Sequence, residues 1–105
     1  MNKEQTHSWI FLAIGLASQE APTDTAGIIM IADGINCAIP EQKELRDSIS
    51  WLLSKGLINK LGNRYELTLD GKNKLKMAED GTLLKTWNNL ENLLNSTLYK
   101  LEQLK

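Results

Sequence analysis

The residue types that most often act as catalysts or metal ligands are scarce in this chain of 105 residues, which has one His and one Cys. His7 has no second His at helical spacing and no Cys partner, so acid–base or metal chemistry is not indicated. Cys37 alone excludes an internal disulfide framework and a Cys-based zinc site, and we expect a small buried side chain in a connector. Ser48 and Ser50 have no His or Lys arranged as a base along the sequence. We therefore expect no enzyme, no catalytic residue, no metal and no cofactor.

The charged side chains are nearly balanced over the whole chain but unevenly distributed along it. Twelve Lys and Arg stand against thirteen Asp and Glu, for a formal net charge of −1. Residues 1–50 hold three basic residues against seven acidic ones, whereas residues 55–76 hold six basic residues against two acidic ones. A local excess of Lys and Arg is the electrostatic signature of a nucleic-acid contact. The distribution therefore favours nucleic-acid binding around residues 55–76.

Apolar spacing predicts two helices in the first third of the chain. The first runs from about Gln5 to Ala17, with its apolar residues on one broad face. The second follows a loop and begins at Thr23 or Asp24, either of which can cap a helix. Ile29 and Met30 make this second helix apolar around much of its circumference, so we expect it to be central.

A third helix and a β-hairpin are predicted in the middle of the chain. The helix runs from about Pro40 to Lys55 and ends before Gly56, where the apolar period changes from helical to alternating. Gly62-Asn63 separates two short alternating runs, as in a tight hairpin turn. The residues that we expect to share one core are Leu45, Ile49, Leu52, Leu57, Tyr65 and Leu67.

The last predicted helix runs from about Leu83 to Leu104, after a short helix that Thr68 caps. Its leucines and its Trp follow the alternating spacing of four and three residues that is typical of a helix–helix seam. One interpretation folds this helix back over Trp9 or Trp51 of its own domain. We expect a homodimer instead, because the apolar stripe is wide for so small a domain. The predicted interface residues are Trp87, Leu90, Leu94 and Leu101.

The segment from Leu45 to Leu75, LRDSISWLLSKGLINKLGNRYELTLDGKNKL, resembles the winged helix-turn-helix of bacterial regulators of the MarR-like and PadR-like kinds. The pieces that carry the resemblance are LLSKGLI, the GNR tip and YELTLDGKNKL. It implies a mainly α fold with a small β-hairpin, a winged helix-turn-helix plus a long C-terminal helix. Residues 1–80 would form the winged-helix domain, and residues 81–105 a dimerisation helix within the same compact unit.

The resemblance also implies a function, which is double-stranded DNA binding by a small homodimeric transcriptional regulator. In such proteins the third helix enters the major groove and the hairpin, or wing, follows the DNA backbone. Carried onto this sequence, the DNA-contacting residues of the third helix would be Gln42, Lys43, Arg46 and Ser50, and those of the wing Lys60, Asn63 and Arg64. Arg, Lys and Gln can read base edges, whereas cations on the wing would contact phosphates.

Two features of the third helix favour an alternative, a winged-helix adaptor that binds another protein and no DNA. Glu41, Glu44 and Asp47 outnumber the two cations of this helix. Trp51 lies on its predicted outer side, where packing against another helix or another chain is expected. In either case we expect a cytoplasmic protein, because the apolar run from Trp9 to Ala17 is shorter than the roughly 20 residues of a membrane span.

Overall fold

The computed structural model describes the backbone of residues 1–103 and the side chains of residues 1–94. Over this range the chain is mainly helical and has one small two-stranded antiparallel hairpin, which confirms the predicted secondary-structure class. The elements in chain order are α1 Lys3–Ala17, α2 Thr25–Asn36, α3 Gln42–Ser54, β1 Ile58–Leu61, β2 Arg64–Leu67, α4 Leu69–Ala78 and α5 Leu83–Gln103.

Side chains just before the helices determine where several of them begin. The Asp24 carboxylate accepts a hydrogen bond from the Gly27 N–H at 3.0 Å, and the Thr68 hydroxyl accepts one from the Gly71 N–H at 3.0 Å. Both bonds satisfy N–H groups that a helix leaves unpaired in its first turn. Helix α2 ends at Cys37, whose backbone is left-handed with φ of 51°. Cys37 is exposed, so the prediction of a buried side chain was wrong.

Helix α1 lies at the centre of the fold. Its six residues from Trp9 to Ile14 are at most 1% exposed, because α1 packs against α2, α3, α4, α5 and β2. The Trp9 indole also donates a hydrogen bond of 2.9 Å to the Ala32 carbonyl of α2. The prediction that the second helix would be central was wrong, since Met30 is 73% exposed. A helix without a polar stripe has to be covered on every side, and α1 meets that condition more fully than α2.

The hairpin is attached to the helices along its second strand. Lys60 pairs with Tyr65 in the β1–β2 register, and Gly62 takes the positive φ of 64° that the turn requires. On the other edge of β2, Thr23 and Tyr65 exchange two backbone hydrogen bonds of 2.8 and 2.7 Å. The predicted common core is confirmed, because all six of its residues are buried in one cluster: Leu45, Ile49, Leu52, Leu57, Tyr65 and Leu67.

Gly71 of α4 lies against Leu57, just before the hairpin, and it has no room for a side chain. A Cβ at this position would collide with the Leu57 carbonyl, which is backbone and cannot rotate away. We expect Gly71→Ala to lower the free energy of unfolding by about 1–3 kcal/mol, the usual cost of overpacking. Chemical unfolding checks this, with Gly81→Ala as the control, since a Cβ at Gly81 meets no atom within 4 Å. Equal stability of the two variants would contradict this account of the packing.

Helix α5 folds back onto its own chain over the part whose side chains are described. Leu90 and Leu94 are 0% and 3% exposed in a single copy, and the Trp87 indole donates a hydrogen bond of 2.9 Å to the Gln5 carbonyl of α1. Leu90 and Leu94 are thus buried within the chain, which corrects their assignment to a dimer interface, whereas Trp87 is partly exposed and its assignment stays a prediction. Leu101, the fourth predicted interface residue, lies outside the described side chains. None of the described helices combines the length and the apolar character that crossing a membrane requires.

Candidate functional site

Three of the four predicted DNA-contacting residues of α3 border a cavity of about 580 Å³ between α2, α3 and the hairpin, which we call the α3 groove. Gln42, Arg46 and Ser50 recur every four residues and therefore lie along one side of the helix. Lys60 closes the groove from β1. The complete lining is Thr25, Ile29, Pro40, Gln42, Leu45, Arg46, Ile49, Ser50, Leu53, Lys60 and Tyr65.

The charges of α3 are sorted between its two sides. Arg46 and Lys60 line the α3 groove, and none of the described residues that line it is acidic. Glu44 and Asp47 instead border a second cavity, of about 320 Å³, between α3 and the N-terminal turn of α1. The sequence suggested that the acidic residues of α3 would face any partner of this helix. Glu44 and Asp47 instead lie on the side of α3 away from the groove.

The remaining predicted residues lie around the groove without lining it. Lys43 is exposed on α3, and Asn63 is exposed at the hairpin turn. Arg64 is exposed as well, and its guanidinium donates a hydrogen bond of 3.3 Å to the Pro22 carbonyl. Lys60 reaches the groove because directly opposed residues of a hairpin project from the same face, and its partner Tyr65 also lines the groove.

The basic segment 55–76 is split between different surfaces. Lys72 lines a cavity of about 250 Å³ that it shares with Glu66 and Glu79, on another part of the molecule. Lys74 is paired with Asp70 at 3.2 Å. Only a fraction of the positive charge counted along the sequence is therefore available next to α3.

A cluster of three side chains joins α1 to α3, and reasoning from the sequence missed it. The His7 Nδ1 lies 3.0 Å from the Ser48 hydroxyl, and the imidazole stacks on the Trp51 ring at a centroid distance of 4.7 Å and an interplanar angle of 12°. His7 and Ser48 are 41 positions apart, so no local spacing reveals the pair. Ser48 is 0% exposed, and its contact with His7 joins α1 to α3 at the edge of the second cavity, which both residues line.

Trp51 is engaged within its own chain, as one of the two sequence interpretations expected. The imidazole of His7 stacks on the ring, and the Lys55 ammonium lies 6.0 Å from the ring centroid. Both contacts reduce the apolar surface that Trp51 can offer to a protein partner.

Burial lowers the pKa of His7, while the Glu4 and Asp47 carboxylates act in the opposite direction. The unfolded chain therefore takes up a proton at a higher pH than the folded chain. We expect the free energy of unfolding to fall as the pH is lowered from about 7.5 to about 5.5, a range that spans the ordinary His value of about 6.5. His7 is the only His of the chain, so His7→Gln should flatten this dependence. Urea titrations across that range measure it, and an unchanged slope in the variant would contradict the assignment.

Comparisons with protein-family models, with curated proteins and with solved structures find no match to this chain. The function is therefore inferred from the chain's own residues. What distinguishes the α3 groove among the described surfaces is a row of polar side chains on one helix side, Gln42, Arg46 and Ser50, that Lys60 faces from the hairpin. Such a set can donate to base edges and to phosphate oxygens.

Proposed function

We propose that this protein is a small winged-helix regulator of transcription that binds double-stranded DNA through α3 and the hairpin. The observation that carries the proposal is the composition of the α3 groove, where Gln42, Arg46, Ser50 and Lys60 lie together and the described lining residues include no carboxylate. DNA carries one negative charge for about every 1.7 Å of its axis, so a surface free of carboxylates favours its approach.

The proposal assigns sequence reading to α3. The helix has 13 residues, and the B-DNA major groove, about 12 Å wide, admits an α-helix. Arg46 can donate two hydrogen bonds to a guanine, and Gln42 can pair with an adenine. Ser50 and Lys43 extend the contact on the exposed side of the helix. Asp47 lies on the side of α3 that faces α1, and its carboxylate would repel phosphates there. This repulsion would favour one orientation of α3 in the DNA groove.

The hairpin is assigned to the DNA backbone. Lys60, Asn63 and Arg64 are exposed, and the backbone bonds between Thr23 and Tyr65 hold the hairpin against the loop that precedes α2. A hairpin held in this way approaches the duplex in a defined orientation relative to α3. Contacts to phosphates fix the register of a protein on DNA without reading sequence.

The test is binding to a pool of random duplexes at low salt, followed by selection of the best site from that pool. We expect wild-type protein to retain DNA at about micromolar concentration. Arg46→Gln should weaken binding to the selected site by about 1–3 kcal/mol and relax the preference at one base pair. Lys85→Gln, an exposed charge on α5, is the matched control and should leave that preference unchanged.

Absence of retention by wild-type protein would contradict the proposal and favour the protein-binding adaptor. The homodimer and the cytoplasmic location stay predictions. A dimer would have to use surfaces other than Leu90 and Leu94, which are buried within the chain.

A further inference from the structure

The α3 groove has an apolar floor beneath its polar rim. Leu45, Ile49 and Tyr65 form its base, Ile29 is half-buried on the α2 side, and Leu53 is 36% exposed. Phosphates and base edges are read by polar donors, which stand on the rim of this groove. An apolar floor beneath a polar, cationic rim matches a ligand that has an apolar part and an anionic group.

The dimensions of the groove suit a small, elongated molecule. Its volume of about 580 Å³ falls within the range of small-molecule sites, about 300–1,000 Å³. Its lining follows α3 from Gln42 to Leu53, which at 1.5 Å per residue is a length of about 16 Å. An alkyl chain fits an apolar channel of this length better than a compact ring does.

The cations at the rim of the groove favour a negatively charged ligand. Arg46 and Lys60 are the ionisable cations of the lining, and no acidic residue in the described part of the chain borders the groove to oppose them. We propose that the α3 groove binds a straight-chain carboxylate, with its alkyl chain along Ile29, Ile49 and Leu53 and its carboxylate held by Arg46 and Lys60. Charge-assisted hydrogen bonds from Arg and Lys to a carboxylate supply the polar half of this recognition.

Such a ligand would compete with DNA, because it would bind Arg46 and Lys60, the residues proposed to contact the bases and the phosphates. This consequence rests on the proposed function, whereas the binding of the carboxylate does not. An aliphatic acid would then release the protein from DNA by direct exclusion, with no change of conformation.

The experiment is a titration of the full chain with decanoate, followed by the backbone amide shifts in ¹H–¹⁵N NMR spectra and performed without DNA. We expect saturable shifts confined to α3, the hairpin and the start of α2. Two control ligands should not give saturable shifts of these amides. Acetate has the negative charge without the alkyl chain, and decyltrimethylammonium has the alkyl chain with a positive charge. Arg46→Gln combined with Lys60→Gln should raise the Kd for decanoate about tenfold, as expected for loss of charge-assisted bonds at a partly exposed site.

The control is Lys76→Gln combined with Lys85→Gln, which removes the same charge from exposed positions outside the groove and should leave the Kd unchanged. Shifts spread over the whole surface, equal binding of acetate, or the same Kd in both double variants would overturn the proposal. Binding of an acidic amphipathic peptide without binding of decanoate would also overturn it. DNA binding is measured separately, so a protein that retains DNA and ignores decanoate refutes only this inference.

Discussion

Leu52→Ala is expected to lower the free energy of unfolding by about 2–5 kcal/mol, as is typical of deleting a fully buried Leu side chain. Leu52 is 0% exposed and belongs to the core that α1, α3 and the hairpin share. The loss combines the removed apolar contacts with the cavity left behind, because the packed neighbours of α1 can collapse only in part. Urea unfolding followed by Trp fluorescence gives the value directly.

The adjacent Leu53 is the matched control for Leu52. It is the same residue type on the same helix, but it is 36% exposed and lines the α3 groove. Leu53→Ala should therefore cost less than about 1.5 kcal/mol, since part of that side chain already contacts water. A cost equal to that of Leu52→Ala would mean that α3 presents a different side to the core. The α3 groove would then lose its basis.

Local signals of the sequence were sufficient to predict the elements around the site. The change of apolar period at Gly56 and the Gly62-Asn63 turn predicted the hairpin, and the structure has strands at Ile58–Leu61 and Arg64–Leu67. Thr68 caps α4 as predicted, because a side-chain acceptor at this position needs only neighbouring residues. Such features are decided within a few residues, which is why the sequence reveals them.

Which surface covers each apolar face could not be predicted, because that depends on residues far apart in the chain. The apolar stripe of α5 has the same spacing whether it packs on a second copy or on its own chain, and the structure packs α5 on α1 and α4, with Trp87 bonded to α1. The same applies to the centre of the fold. Both α1 and α2 are rich in apolar residues, and only the packing distinguishes the enclosed helix from the one that exposes Met30.

The candidate site was predicted in part for the same reason. The resemblance to winged-helix regulators implied four residues of α3, and the structure brings Gln42, Arg46 and Ser50, but not Lys43, to the α3 groove. Lys60 faces these three residues only because of the hairpin register and the packing of the hairpin on the helices, which the sequence does not reveal. The pairing of His7 with Ser48 spans 41 positions and leaves no pattern in the sequence.

Replacing Lys60 and Arg64 together by Gln is expected to flatten the salt dependence of DNA binding by about two units in a plot of log affinity against log salt, since each phosphate contact contributes about −0.9. Both side chains are exposed on the hairpin, one lining the α3 groove and the other beside it. Wild-type affinity should fall steeply between about 50 mM and about 200 mM salt. The variant should bind DNA more weakly at low salt, but its affinity should fall less over the same salt range.

The matched control is Lys72→Gln combined with Lys76→Gln, which removes the same charge from α4, outside the α3 groove. The decisive measurement is the salt titration of duplex binding by these three proteins, followed by fluorescence anisotropy. We expect a steep slope for wild type and the α4 control and a slope flatter by about two units for the hairpin variant. No binding by wild type at low salt, or an equal loss of slope in both double variants, would contradict this expectation.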